Sequence, residues 1–350
     1  MTKYHFASDN TAGVAPEAWA ALETANAGYA PGYGEDAWTA KASDLIRELF
    51  ETDCEVFFTF NGTAANSLSL ASMCQSYHSI ICHEISHVET DECGAPEFFS
   101  NGTKVLVAGG ANGKVDVREV ERIATRRTDV HYPKSKVISL TQPTEVGTVY
   151  SLEELQAVNE TAQRLNLCVH MDGARFANAL VSLDVPAKEI TWQAGVDVLC
   201  LGGTKQGMLV GDAVVFFNKE LAQEFEYRCK QAGQLASKMR FLTAPWVGML
   251  EHEVWLKHAR HANACAQQLA AGLREFPGIE FYMPVQANGV FVKLPEKIHS
   301  YLKNNGWRYF SIFADGVSRL MCSWNTTEAD IAAFLNDVKT GFDNVPVTEL

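Results

Sequence analysis

Lys205 stands in an unusual setting. The apolar run Val196–Leu201 ends in Gly202-Gly203-Thr204, and Lys205 follows just before two more glycines, Gly207 and Gly211. Stripping an ammonium of water costs free energy, so a lysine at the mouth of a buried strand needs a reason to be there. GGTKQG lacks the G-x-x-x-x-G-K-[ST] spacing of a phosphate loop. A desolvated lysine is less basic and becomes a nucleophile toward carbonyls, able to form a Schiff base. The flanking glycines would let a flat ligand approach the backbone. Taken alone, a lysine snorkelling to the surface is the plainer reading.

Three other strand ends bear on the choice. Asp172, in LCVHMDGARFANAL, follows an apolar run and precedes Lys205 by 33 residues. A carboxylate there could await Mg²⁺, but no other acidic cluster is at hand. It could equally face a positive partner such as a protonated ring nitrogen, or simply cap a helix. In FFTFNGTAANSLSLA, the strand Val56–Phe60 runs through Asn61-Gly62-Thr63 into an alanine-rich helix. Free amides at such a helix start bind phosphate and Thr63 adds a hydroxyl, although Asn and Thr are good caps anyway. His87, in ISHVETDECGAP, lies between Glu84 and Glu89. It could stack on an aromatic ring or move a proton near neutral pH, or be an ordinary hydrogen-bonded core histidine. Each feature has a bland explanation. Together, a phosphate cradle, a carboxylate, a stacking imidazole and a Schiff-base lysine describe a pyridoxal phosphate site, in which the carboxylate keeps the pyridine nitrogen protonated.

The elements that must position these residues can be read from hydrophobic patterning. Short apolar runs at Val56–Phe60, Ile80–Cys82, Val105–Ala108, Val137–Thr141, Cys168–Met171, Val196–Leu201 and Ala213–Phe217 alternate with amphipathic stretches. One of these, Leu152–Leu165, opens with the capping box Ser151…Glu154. Strands apolar throughout are buried on both faces, and alternation with helices predicts an α/β fold with a mostly parallel sheet. Ligands bind such sheets at the carboxyl ends of the strands, which is where Lys205 and Asp172 fall. From about Trp246 a long helical run to Phe276 leads into a mixed segment. That segment comprises Ile279–Met283, Val290–Leu294, a helix near Lys297–Asn305, strand-like Ser318–Trp324 and a last helix from Glu328. We therefore expect a large domain over residues 1–248 and a smaller α+β domain over 249–350.

Composition narrows the partners. A net charge of −13 argues against non-specific nucleic-acid binding and against an anionic membrane surface. MTKYHFASDN has no apolar signal core, and no apolar run approaches a membrane span. The nine cysteines contain no C-x-x-C, so neither a metal site nor a disulfide framework is expected, and a cytoplasmic location fits.

Taken in order, ASDNTAG, PGYGED, NGTAAN, SHVETDECGA, HMDGARFANAL, GGTKQG and SRLMCSW resemble the threonine aldolase family, from about Ser8 to about Trp324. The resemblance is especially to its low-specificity L-threonine and L-phenylserine members. It implies the aspartate-aminotransferase fold (fold type I) and a homodimer or homotetramer with sites at the subunit interface. By the same resemblance, Lys205 should hold pyridoxal 5'-phosphate, Asp172 pair with its ring nitrogen, His87 stack on the ring, and Gly62 and Thr63 hold its phosphate. Ser8, Arg175 and Arg319 should receive the substrate carboxylate, and His131, in DVHYP, should lie near the substrate hydroxyl. Tyr33, toward the substrate, and Arg240, toward the cofactor, match positions that serve a neighbouring subunit's site. The sequence departs from the family in Gln206 after the lysine and in SDN where SDT is usual; neither removes a needed group. The implied reaction is retro-aldol cleavage of a β-hydroxy-α-amino acid to glycine and an aldehyde, with His87 or His131 as the base. Its rivals are another activity on the same fold, such as a β-eliminating lyase or aminotransferase, and a non-catalytic binding protein.

Overall fold

The computed structural model describes residues 2–312 and 316–343. All seven apolar runs form strands: β1 Glu55–Thr59, β2 His78–His83, β3 Lys104–Ala108, β4 Lys134–Thr141, β5 Cys168–Gly173, β6 Val198–Gly202 and β7 Asp212–Phe216. They make one sheet in the order β1-β7-β6-β5-β4-β2-β3. Pairing is parallel from β6 to β3, and only β7 runs against its neighbours. Successive residues point to opposite faces, and the core divides accordingly. Ile81, Ile138, Met171, Leu199 and Val215 pack beneath helices Ala37–Phe50 and Leu152–Leu165, while Ile80, Val137, Val198, Val214 and Phe216 pack beneath Gly62–Met73 and Phe225–Gln231. Both faces are covered, which is why these strands read as continuously apolar. The capping box forms: Ser151 Oγ accepts the Glu154 N–H and the Glu154 carboxylate accepts the Ser151 N–H.

Register brings the chemical residues to one edge. Thr141 on β4 pairs with Asp172 on β5, and Asp212 at the start of β7 pairs with both Thr59 on β1 and Gly202 on β6.

A second, antiparallel sheet follows, in the order β10-β11-β9-β8, from β8 Glu280–Phe281, β9 Gly289–Lys293, β10 Phe310–Ile312 and β11 Val317–Met321. Patterning did not suggest β10, a three-residue edge strand that hides little of itself. Its core joins Trp307, Leu302, Leu320 and Phe334 to Phe6 from the N-terminal segment. The Trp307 and Phe334 rings meet edge to face at 4.9 Å.

The long helix expected from Trp246 to Phe276 is instead two helices, Arg240–Leu250 and Val254–Arg274. His252 and Glu253 between them take left-handed φ values of 57° and 55°, which interrupt the helical ladder. The second helix bridges the two cores: Trp255, Leu256 and Ala259 pack into the large one, and Cys265, Ala266, Leu269 and Leu273 into the small one.

Gly202, at the end of β6, lies against the turn after β5. A Cβ there would stand 2.3 Å from the Ala174 carbonyl oxygen, a backbone atom that cannot step aside cheaply. Gly202→Ala should therefore cost about 1–3 kcal/mol and loosen the spacing between Asp172 and Lys205. Gly13→Ala, at a site with nothing within 4 Å, is the control. Thermal unfolding checks this: equal midpoints for the two variants would refute the close-approach argument.

Candidate active site

Asp172 is 4% exposed at the edge where the strands end. Its Oδ1 accepts the Ala174 N–H at 2.9 Å, and its Oδ2 accepts from Asn66 Nδ2 at 2.9 Å. Burial works to raise its pKa, but the positive charges of His87 and Lys205 and these two hydrogen bonds outweigh burial and hold the carboxyl below its ordinary 3.8. Asn66 also donates to Glu92 Oε1 at 3.0 Å, and His87 Nδ1 donates to that same oxygen at 2.8 Å. Asp172, Asn66, Glu92 and His87 thus form one chain. The Glu92 bond, against burial, raises the His87 pKa above 6.5, with help from the Asp172 charge.

Lys205 shares a cavity of about 190 Å³ with Asp172, His87, Asn61, Gly62 and Thr63. It sits in a short 3-10 turn, Thr204–Gln206, ended by Gly207 at φ 106°, a value that only glycine adopts without strain. It is half-buried rather than fully buried, because its amine opens into the cavity. Across the cavity begins helix Gly62–Met73, where Asn61 Oδ1 caps only the Ala64 N–H. Among the described residues the amides of Gly62 and Thr63 have no hydrogen-bond partner. Two free amides on a helix dipole suit a phosphate. With an ionised Asp172 and a primary amine in the same cavity, the donor set fits pyridoxal phosphate.

A narrow hollow of about 10 Å³ lies beside this cavity, between the two sheets, lined by Glu145, Arg175, Asn288, Gly289 and Arg319 among others. The two arginines expected to act together are therefore neighbours. Arg319 Nε is buried and has no hydrogen-bond partner, and its guanidinium faces the Phe310 ring at 5.0 Å. Burial and the nearby Arg175 lower its pKa. Arg175 is engaged: its Nε and Nη2 donate to the two oxygens of Asp9 at 2.6 and 2.8 Å. Asn288 Nδ2 donates to Asp9 as well, at 3.3 Å. Ser8, also expected here, is buried and uses its hydroxyl oxygen to cap the Asn10 N–H.

Three expected residues are not brought to this place within the chain. His131 is exposed and precedes β4, so it lies at the amino end of the strand whose carboxyl end meets Asp172; its N–H donates to Asp129. The length of β4 separates it from the cavity of its own chain. Tyr33 lies near the β1 edge, its ring faced by Lys230 Nζ at 4.7 Å. Arg240 starts the helix Arg240–Leu250 with its guanidinium over the Phe241 ring at 4.9 Å. Neither lines the cavity.

Several residues at the site carried weak signals in the sequence. Asn66 is the one amide side chain in a helix whose other polar residues are hydroxyls, and Asp9 stands in the SDN motif without an obvious task. Asp212 and Glu145 are acids next to apolar strands. Asp212 Oδ1 accepts the N–H groups of Gly203 at 2.8 Å and Thr204 at 3.5 Å, and burial nevertheless raises its pKa.

The beta-eliminating lyase family profile matches residues 5–297. The chain is 58% identical to the low specificity L-threonine aldolase of a Pseudomonas species, over 95% of this chain and 96% of that one. It is 57% identical to the Pseudomonas aeruginosa enzyme of the same description, with the same coverage. Among solved structures it is similar to Leishmania major threonine aldolase, with a TM-score of 0.91, 29% identity, and coverage of 97% of this chain and 99% of that one.

The chain from His87 to Asp172 can be tested through protonation. A histidine whose folded pKa is raised is stabilised fully below its unfolded value, and that stabilisation is lost as pH rises through the folded value. Glu92→Gln removes the largest raising influence, so His87 should titrate at lower pH than in the wild type. NMR of ¹³C-labelled histidine reads this directly. An unmoved His87 titration would show that Glu92 is not what holds its proton.

Proposed function

The chain belongs to the threonine aldolase branch of the beta-eliminating lyase family, whose members work with pyridoxal phosphate, and we propose that it cleaves L-β-hydroxy-α-amino acids to glycine and an aldehyde. Threonine, allo-threonine and phenylserine are the substrates we assign. The observation that carries this reading is the pairing of an ionised buried carboxylate, Asp172, with an unencumbered lysine amine, Lys205, in one cavity roofed by free helix amides.

Bound pyridoxal phosphate supplies a conjugated cation that accepts the electron pair of a bond at Cα. The protein's own residues do the rest. Lys205 offers the amine that holds the cofactor's carbonyl carbon. Asp172 keeps a proton at the ring nitrogen, and its burial makes that charge effective at short range. His87 lies on the same side as Asn66 and Glu92, where it would stack on the ring. Gly62 and Thr63 would bind the phosphate through their amides.

Arg319, with Arg175 beside it, grips the substrate carboxylate. Fixing that group selects which bond at Cα stands perpendicular to the ring, and cleavage of Cα–Cβ rather than Cα–H is the result. Arg175 is already paired with Asp9, whereas the buried Nε of Arg319 has no hydrogen-bond partner. It arrives from β11, so substrate binding depends on how the two sheets meet. Tyr33 and Arg240, remote in their own subunit, fit a homodimer or homotetramer in which each site is completed by a neighbour. Among the described residues no helix is long and apolar enough to cross a membrane, and we assign the protein to the cytoplasm.

Two outcomes test this. Lys205→Ala should stay folded, lose the absorbance band of the lysine-bound cofactor, and form no glycine from threonine above the rate in buffer. Full activity without that lysine would sink the assignment, and ammonia or a keto acid in place of glycine and aldehyde would transfer it to a different lyase or an aminotransferase. Arg319→Lys keeps the charge but loses the planar fork. It should raise KM by about tenfold, equivalent to about 1.4 kcal/mol, and increase deuterium exchange at Cα relative to cleavage. Wild-type KM and product ratio would remove Arg319 from the carboxylate grip.

A further inference from the structure

Glu145 follows β4 in the turn Gln142–Gly147 and stands between two parts of the site. Its Oε1 accepts the His87 backbone N–H at 2.8 Å and the Thr141 hydroxyl at 2.8 Å. Its Oε2 is sealed from solvent and has no hydrogen-bond partner. The residue lines the hollow that also holds Arg175 and Arg319. Whatever is gripped at its carboxylate by the arginines and bonded toward the Asp172 cavity through its nitrogen must pass its Cα and Cβ close to Glu145. An orphaned carboxylate oxygen in that position lacks a donor, and a β-hydroxyl is one.

We propose that Glu145 is the base that takes the proton of the substrate β-hydroxyl, directly or through a single water; a hollow of about 10 Å³ is near the lower limit for one. The inference rests on the aldolase reading. As Oε2 takes the proton, the O–H electron pair becomes the second C–O bond of the aldehyde, the Cα–Cβ bond breaks, and its pair remains with Cα. The proton gained by Glu145 balances the one Cα needs to become glycine, so no co-reactant is required.

The competing bases are worse placed. His87 has its Nδ1 taken up by Glu92 at 2.8 Å and Asp91 at 3.4 Å from its other nitrogen. His131 is at the other end of β4.

The charge state of Glu145 is set by its surroundings. Burial, and to a smaller degree the Asp172 charge on the adjacent strand, raises its pKa to about 7. The Thr141 hydroxyl and the His87 N–H oppose this. Arg175 and Arg319 face it from the turn after β5 and from β11, while the Cys82 thiol on β2 and the Tyr150 hydroxyl lie on its other sides. A base is competent when unprotonated. Cleavage should therefore rise with pH through about 7 in the wild type.

Glu145→Gln keeps an oxygen for the His87 and Thr141 donors but cannot accept the hydroxyl proton as a carboxylate does. In the holoenzyme, threonine cleavage should fall about a hundredfold or more and lose the acid limb near neutral pH. The cofactor absorbance band, and deuterium exchange into the Cα of glycine, which has no β-hydroxyl, should stay within a few-fold of wild type. The infrared difference spectrum between wild type and variant should show a carboxylic acid band that titrates near neutral pH. Cleavage within threefold of wild type, persistence of the acid limb, or an equal fall in cleavage and exchange would overturn the proposal, the last by reducing Glu145 to a support for the His87 turn. A wild-type protein that makes no glycine from threonine would overturn the aldolase reading instead.

Discussion

A single buried negative charge organises this site. Asp172 sits at the end of a central strand with almost no access to water, and an isolated carboxylate there would protonate. It stays ionised because Asn66, the Ala174 amide, His87 and Lys205 surround it. Each of those partners is fixed by a different element: a helix after β1, the turn after β5, a short helix after β2, and the turn after β6. Keeping one carboxylate charged therefore demands the register of the whole sheet. The same demand explains Gly202, whose missing side chain lets the β5 and β6 turns approach closely enough to share the charge.

A second constraint ties the two sheets together. Asp9, in the N-terminal segment, accepts two hydrogen bonds from Arg175 on the large sheet and one from Asn288 beside β9. Phe6, three residues earlier, is buried in the small core. The segment thus spans both halves, and the buried ion pair sits at their junction. A buried pair adds little net stability over apolar packing, yet losing one partner is costly. Its use here is geometric: it holds Arg175 in a fixed place, beside Arg319 whose Nε has no partner in the same hollow.

The strand pattern was legible because the strands are buried on both faces and so are apolar without interruption. Lys205, Asp172, Gly62 and Thr63 were legible because strand ends in such a sheet are where ligands bind, and those residue types are out of place as structural filler. Some features escaped. The break at His252-Glu253 carries no glycine or proline, so nothing local announced it, and the helix that follows it packs into both cores. His131 entered by likeness to a motif, and preceding β4 it lies at the amino end of that strand, away from the cavity of its own chain. Asn66, Glu92 and Glu145 escaped for the opposite reason. Asn66 meets Glu92 and Asp172, and Glu145 meets the His87 N–H, at separations of 26 to 106 residues that only the folded chain closes.

Four acids at this edge show how partners, rather than burial, decide charge. Asp9, Asp172 and Asp212 are all less than a tenth exposed, and the free oxygen of Glu145 is sealed. Asp9 and Asp172 have a guanidinium, or an imidazole and an ammonium, close by, and both are held below the ordinary carboxylate value. Asp212 and Glu145 take their hydrogen bonds from neutral N–H or O–H donors, and burial pushes both up despite Lys205 near the first and the arginines near the second. This divergence of similar groups is the pattern by which sites separate permanent charges from movable protons. The carboxylates held low lie beside cations, Asp172 by His87 and Lys205 and Asp9 by Arg175. Those pushed up lie where the proposed ligands would meet the protein. Asp212 adjoins the Gly62 end of the proposed cradle, where a phosphate would bring negative charge that an ionised neighbour would repel. Glu145 adjoins the arginine hollow, where the proposed substrate hydroxyl would give up its proton.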